Sequence, residues 1–484
     1  MTFSINSSNK FLFLLLAAVL WLTGCAGMDQ ISPPPTIVEW QVTLQGAPVA
    51  RLGSLRWNAV TSDEDASVTC EVRVEKDGQE SFVSHGGLRE GVWAPKEPGR
   101  YRLKMIVRDE EDVVISILWS DEYLFVPQLD SDSLYAVLPM ENLSDSNAPL
   151  KDLQATMRGM LTARGFNLLD PVLLEKFMAK YRMRHVGGLS RDLSSRMQTE
   201  LGVSAVFVTS LETWQEDVPP RVSIITRVIA TGEEPEVLWI DSVGLTGDDS
   251  PGLLGLGRIK NPRVLLQNAL AQLFDSYMSY LSGNYPVYLH DADTRQVFQS
   301  TPDVDTSGAI IYTEKKKHQP QFFYRASMFN PAGQYKVAVI PFVNINARKH
   351  AEKIIALHLV QQLNRHANLR VFEPGLVRET LLRYRMIMQT GPSMASSDVL
   401  QDRDILGADL IVSGKVFDYQ GAFGESKVDF SVQVFDGLKR EVVWASRSYA
   451  TGNQGVYFFD WGRIPSAHGL AGRMTQAVIS LLTE

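Results

Sequence analysis

The residues best suited to chemistry lie far apart in the chain, and each local pattern stops short of a catalytic motif. Gly255-Leu256-Gly257 begins as a dinucleotide loop would, but Lys260 stands where the third glycine is needed. Gly414-Lys415 has Asp409 in place of the first glycine of a phosphate loop and Val416 in place of its Ser or Thr. The sequence holds no Gly-x-Ser-x-Gly nucleophile elbow. His350, His358 and His366 share one expected helix at steps of eight. Each is therefore turned about 80° from the last, whereas two ligands on one helix face sit four apart. The expectation is polar surface histidines, with no metal, no cofactor and no catalytic residue. The acidic turn Asp109-Glu110-Glu111-Asp112 lacks the regular oxygen spacing of a calcium loop and reads as solvated.

Contact chemistry is better represented. Tyr181-Arg182-Met183 returns as Tyr384-Arg385-Met386. Aromatic and Arg side chains dominate the energetics of protein contacts, which makes Tyr181, Arg182, Tyr384 and Arg385 candidate partner residues. The same triplets also suit a helix end with a buried Tyr and a solvated Arg. Trp461 follows Tyr457-Phe458-Phe459 in an expected loop. If exposed, this group would form a partner surface; otherwise it tucks into a core.

Composition narrows the classes. At 484 residues with 45% hydrophobic content, the chain has room for about three domains of ordinary size. A formal net charge of -8 argues against nucleic-acid binding, which needs clustered Lys and Arg. The one short basic run, Lys315-Lys316-Lys317-His318, reads as a solvated hairpin tip. Of the two cysteines, Cys70 alternates with Val68, Val72 and Val74, as a buried thiol on a strand would.

Cys25 sits in a different setting. Phe11 to Leu22 is an apolar run behind Lys10, too short to span a bilayer and suited to the core of a secretory signal. Leu22-Thr23-Gly24-Cys25 resembles the lipobox of bacterial lipoproteins. The resemblance implies that residues 1–24 are a signal peptide and that Cys25 becomes the first mature residue. Its thiol then carries diacylglycerol and, with further palmitate-type acylation, anchors the chain to a membrane. Ala26 follows rather than Asp, which by the same resemblance implies the periplasmic face of the outer membrane. Residues 25–35 end in Pro33-Pro34-Pro35 and read as a lipidated, partly stiffened tether.

The elements behind these residues form a repeat. Tyr135-Ala136-Val137-Leu138-Pro139 is echoed by Val337-Ala338-Val339-Ile340-Pro341, and Val237-Leu238-Trp239 by Val442-Val443-Trp444. Gly257-Arg258-Ile259 is echoed by Gly462-Arg463-Ile464. Matches in one order at nearly one spacing predict a duplicated domain. Each copy reads as strand, helix, short strand, helix, a short polar helix, three strands and a closing helix, an α+β module with a mixed sheet. Asp170-Pro171 and Glu373-Pro374 mark helix starts, and Gly202 and Gly407 mark helix ends. Before the copies, residues 36–128 alternate apolar and polar with turn residues between, which predicts a β-sandwich weakly resembling immunoglobulin-like domains. The expected layout is therefore sandwich 36–128, repeat 129–283, connector 284–334 and repeat 335–484. In the connector, Ala309 to Tyr312 and Gln321 to Tyr324 could pair as a hairpin.

The motifs "Val-Ala-Val-Ile-Pro-Phe", "Leu-Gly-Ala-Asp-Leu-Ile-Val-Ser-Gly-Lys-Val" and "Arg-Glu-Val-Val-Trp-Ala-Ser" in the second copy resemble the curli-secretion lipoprotein (CsgG) family. They are also similar to lipoprotein activators of peptidoglycan synthases and to the amino-terminal domain of TolB. The first copy departs, with Val203 to Ser210 lacking the glycine of the Ser-Gly-Lys element. The resemblance implies a non-enzymatic outer-membrane lipoprotein that docks other envelope proteins, or further copies of itself, during secretion, surface assembly or peptidoglycan synthesis. A subunit of an oligomeric secretion channel is the alternative, which needs lipid-facing strands of about 9–11 residues. An enzyme acting on glycan or nucleotide is the lesser one.

Overall fold

The computed structural model describes residues 37–45, 54–61, 68–76, 79–84, 90–95, 99–120, 123–125, 129–249, 258–283, 311–312, 318–366, 368–386, 394–421, 426–437, 441–454 and 463–484. Cys25, the tether, Trp461 and its aromatic neighbours lie outside them. The chain divides into two compact units, one built from residues 1–45, 54–94 and 99–124, the other from Phe125–Glu484 with two short stretches. Among the described residues, no helix is long and apolar enough to cross a membrane.

The first unit is all β. Strands β1 (Ile37–Gln45), β2 (Ser54–Thr61) and β5 (Glu90–Trp93) form one antiparallel sheet. Strands β3 (Thr69–Lys76), β4 (Gln79–Ser84), β6 (Gly99–Arg108) and β7 (Val114–Trp119) form the other, with β8 (Tyr123–Phe125) on β6. Alternate residues are buried, Leu55, Trp57 and Ala59 on β2 and Cys70, Val72 and Val74 on β3, facing inward as the period of two requires.

In the second unit, residues 129–283 supply β9 (Tyr135–Val137), β10 (Glu141–Asn142), α1 (Leu150–Ala163), α2 (Pro171–Lys180), α3 (Arg191–Leu201), β11 (Ala205–Gln215), β12 (Arg221–Ala230), β13 (Glu236–Thr246) and α4 (Pro262–Leu281). Helix starts follow local chemistry. Asp170 accepts from the amides of Val172 and Leu173 ahead of Pro171, and Ser190 and Asn261 cap α3 and α4 in the same way. Gly202 ends α3 with φ +66°, which only glycine adopts freely. The sheet runs β10-β11-β12-β13 with β9 also on β11; β9 and β10 lie parallel to β11, and the remaining pairs are antiparallel.

Residues 311–484 present the same order behind an added edge. Strands β14 (Ile311–Tyr312) and β15 (Phe322–Arg325) pair antiparallel and extend a sheet that also holds β16 (Tyr335–Val339), β17 (Val343–Asn344), β18 (Leu369–Val371), β19 (Leu410–Gln420), β20 (Lys427–Asp436) and β21 (Glu441–Thr451). Helices α5 (Ala351–Leu363), α6 (Pro374–Arg383), α7 (Met394–Gln401) and α8 (Ala467–Thr483) complete it. Val428, Phe430, Val432 and Val434 on β20 point into the core beneath α5 and α8. The alternation that could have faced lipid in a channel thus serves internal packing.

Two helix pairs and two sheets stack. On the front face of the first sheet, Phe207 packs on Tyr277 of α4 with ring centroids 5.4 Å apart, and Thr209 donates to Met157 of α1 at 3.5 Å. On its back face, α2 and α3 cover Val206, Val208 and Ile229. Elsewhere on that face Ile225, Val237 and Ile240 enter one core with α5 and α8. Those two helices also cover their own sheet, so they lie between the two sheets. Accordingly α5 buries Ala351 and every residue from Ile354 to Leu363, whereas α1 buries Leu153, Met157 and Leu161 alone.

Candidate functional site

Three polar knots lie along the seam between the first sheet and the second half of the chain, two at helices α5 and α8 and one at Glu373, the cap of α6. In the central one, Glu212, His358 and His468 bring one ligand atom each to within 4.8 Å of the others. Glu212 lies at a β-bulge in β11, where the register with β12 shifts between Leu211 and Thr213. Such an extra residue re-aims its side chain, here toward the seam. His358 sits mid-way along α5, and His468 lies in the first turn of α8 behind its cap, Ser466.

Glu212 and His358 are fully buried and His468 is 6% exposed. His468 Nδ1 and the Tyr419 hydroxyl are hydrogen-bonded to the two oxygens of Glu212, and Arg348 donates to its backbone carbonyl at 2.8 Å. His358 Nε2 lies 3.5 Å from Glu212 Oε2, yet neither imidazole nitrogen makes a hydrogen bond of good geometry. The His358 and His468 rings are 4.8 Å apart at 59°. Gly244 on β13 permits this approach, since a Cβ there would lie 2.5 Å from His468 Cδ2.

Burial works against ionising Glu212, but His468 and His358 outweigh it and hold the carboxyl well below its usual range. Burial lowers His358 below the ordinary histidine value, and the neighbouring His468 pushes in the same direction. Burial likewise raises the Tyr419 hydroxyl, with the adjacent Glu212 charge adding to the effect. The centre is thus an ionised carboxylate, an unprotonated imidazole and a second imidazole, closed to solvent. It can bind a cation or a proton.

The second knot is the ion pair Arg227–Glu373 at 3.1 Å, with both side chains fully buried. Glu373 also accepts from the amides of Leu189 and Gly375, and Arg227 donates to the Gly187 carbonyl at 2.7 Å. These bonds satisfy most of the charges' demand for partners, as burial requires. The backbones meet here, since a Cβ on Gly188 would lie 2.7 Å from Gly375 Cα. The third knot is Asp241, which receives Gln361 at 2.7 Å, Arg365 at 3.1 Å and Ser276 at 2.6 Å. Beside the seam, Lys353 and Ser210 bind Glu141 at 3.3 and 2.9 Å. They outweigh its burial and keep its pKa lowered. His185, nearby, is lowered to about 4, first by burial and then by Arg378.

The structure overturns the surface reading for His358, whereas His350 and His366 are partly exposed. His358 is wholly buried, because its helix is covered on both sides, and its partners come from strands and helices far off in sequence, with Glu212 and His468 separated by 256 residues. A helix-by-helix search for ligand spacing could not detect that. One signal was present: His358 interrupts the apolar run Ile354 to Val360.

The Tyr-Arg-Met triplets end helices α2 and α6. Arg182 and Arg385 take φ +50° and +57°, and their amides bond Ala179 and Leu382 carbonyls. The amides of Met183 and Met386 reach back to Met178 and Leu381. This is a Schellman termination with each Met tucked against core residues, and it accounts for the spacing of all three residues. Tyr181 is half-buried on Phe177, with its hydroxyl on Glu200, whereas Tyr384 is 44% exposed and both arginines are exposed. The four side chains do not converge on the seam.

No family model matches this chain, and no curated protein matches it. Among solved structures, the PelC dodecamer from Paraburkholderia phytofirmans is similar at 17% identity and a TM-score of 0.24, over 33% of this chain and 94% of that one. Lipoprotein GNA1162 from Neisseria meningitidis is similar at 16% identity and 0.23, over 30% and 98%. The carboxy-terminal domain of LpoB from Salmonella enterica is similar at 13% identity and 0.22, over 25% and 87%.

Proposed function

We propose that this chain is a lipid-anchored protein of the bacterial envelope that works by docking other envelope proteins and performs no covalent chemistry. In this reading Cys25 carries the acyl anchor at the periplasmic face of the outer membrane. The all-β unit is an immunoglobulin-like spacer, and residues 129–283 and 335–484 are tandem copies of one domain fused into a single docking body. The observation that carries the reading is where the reactive side chains lie. Among the described residues, the convergent Glu and His side chains are sealed inside the seam, where they can bind but cannot meet a substrate. A surface cavity of about 300 Å³ beside α7 gathers Asp398, Asp402, Arg403 and Asp409, with no His, Cys or Ser nucleophile among its lining residues.

The test is cross-linking in living cells followed by mass spectrometry, using the full chain, Cys25→Ser and the pair Arg182→Glu, Arg385→Glu. Expected are envelope proteins captured by the full chain, loss of palmitate labelling and of membrane fractionation in Cys25→Ser, and weaker capture with unchanged thermal unfolding in the Arg pair. Unchanged fractionation of Cys25→Ser, or turnover of a glycan or nucleotide by the purified chain, would defeat the reading.

A further inference from the structure

We infer that Glu212, His358 and His468 form a binding site for one first-row divalent cation, Zn²⁺ being the best fit, which staples the first sheet to helices α5 and α8. The inference stands apart from the docking role, since it concerns how the body is held together.

Geometry comes first. Ligand atoms held at about 2.0–2.2 Å around one ion lie roughly 3–4 Å from each other. The 3.5 Å between His358 Nε2 and Glu212 Oε2 falls in that range, and the three ligand atoms lie within 4.8 Å of one another. Two imidazoles and a carboxylate suit zinc, whereas calcium and magnesium call for a shell of oxygens. The second observation is His358 itself, fully buried with both ring nitrogens lacking a hydrogen bond, a state that buried polar groups avoid unless they have another partner. Around the ligands, the Tyr419 hydroxyl fixes one oxygen of Glu212, as outer partners of metal carboxylates do. A cation would take the place of the hydrogen bond between His468 Nδ1 and Glu212.

The experiment uses the full chain in detergent, stripped with chelator, reloaded with Zn²⁺ or Co²⁺ and desalted. The expected result is about one metal ion per chain by elemental analysis, as for a single site. The Co²⁺ form should show visible d–d absorption and two paramagnetically shifted imidazole proton sets. Glu212→Gln and His468→Gln should each weaken metal retention by about tenfold or more, while Asp241→Asn, in the neighbouring knot, should retain it fully. Should the ligand variants fail to fold, the cobalt spectrum of the unaltered chain still decides. A wild-type chain that desalts free of both metals, a cobalt spectrum without two histidines, or ligand variants that keep wild-type stoichiometry would each overturn the site and leave a plain buried Glu–His pair.

Discussion

The back faces of the two sheets share a backbone plan and differ in chemistry. On β11, β12 and β13 the rows Val208–Arg227–Ile240 and Ser210–Ile225–Ser242 face the seam. The corresponding rows on β19, β20 and β21 are Ser413–Gln433–Ala445 and Lys415–Ser431–Arg447. Strand β12 is buried from Val222 to Ala230 without a break, whereas β20 alternates buried with half-buried or exposed residues. Each sheet has a bulge at the same place, but the bulged position is Glu212 in one and Phe417 in the other, where Arg447 stacks at 3.4 Å and pairs with Asp429. One back face accepts a helix pair from elsewhere in the chain; the other carries polar residues in the matching rows.

The largest test of this contrast is the buried ion pair. Glu373→Ala should cost about 3–5 kcal/mol in urea unfolding, because Arg227 is left buried and unpaired, while Arg227→Met combined with Glu373→Leu should recover most of that loss. Next are the matched positions Ile225 and Ser431. Ile225→Ser should cost roughly 3 kcal/mol through lost packing and an added buried hydroxyl. Ser431→Ile should leave stability within about 0.5 kcal/mol. Equal losses at the two positions would show that the faces are not in different environments.

Acid gives a smaller effect. The folded pKa of His185, about 4, lies below its unfolded value near 6.5. The unfolded chain therefore takes up the proton first as pH falls. The stability associated with neutral His185 is complete above 6.5 and is lost as the pH drops toward 4. After discounting for solvent screening of this half-buried group, the loss should be about 1 kcal/mol, and it should disappear in His185→Asn when thermal unfolding is followed across that window. The smallest effect belongs to the helix ends. Arg182→Gly or Arg385→Gly should raise stability by a few tenths of a kcal/mol, since glycine removes the Cβ clash at positive φ but adds unfolded-state entropy. A loss of about 1 kcal/mol or more at either position would mean that the Arg side chain has a structural role beyond ending the helix.

Much of the local architecture was legible in the chain. Alternation of Val428, Phe430, Val432 and Val434 marked a strand with one covered face, and β20 is that strand. Asp170-Pro171 and Glu373-Pro374 begin helices, and Gly202 ends one, because backbone donors at helix starts and positive φ at helix ends select those residue types wherever they occur. The apolar residues Ile354, Ile355, Leu359 and Leu363 at helical spacing likewise marked a helix, and α5 is that helix. Such features depend on neighbours a few residues away, and the sequence records them directly.

Which surface would cover α5 depended on contacts between residues more than a hundred positions apart, and no local period encodes those. Only the tertiary structure placed Glu212 beside His358 and His468, matched Arg227 to Glu373 and set Gly244 against an imidazole. The physical reason is that burying charge is tolerable only where a partner of the right kind arrives, and that partner is supplied by the packing of whole sheets and helices.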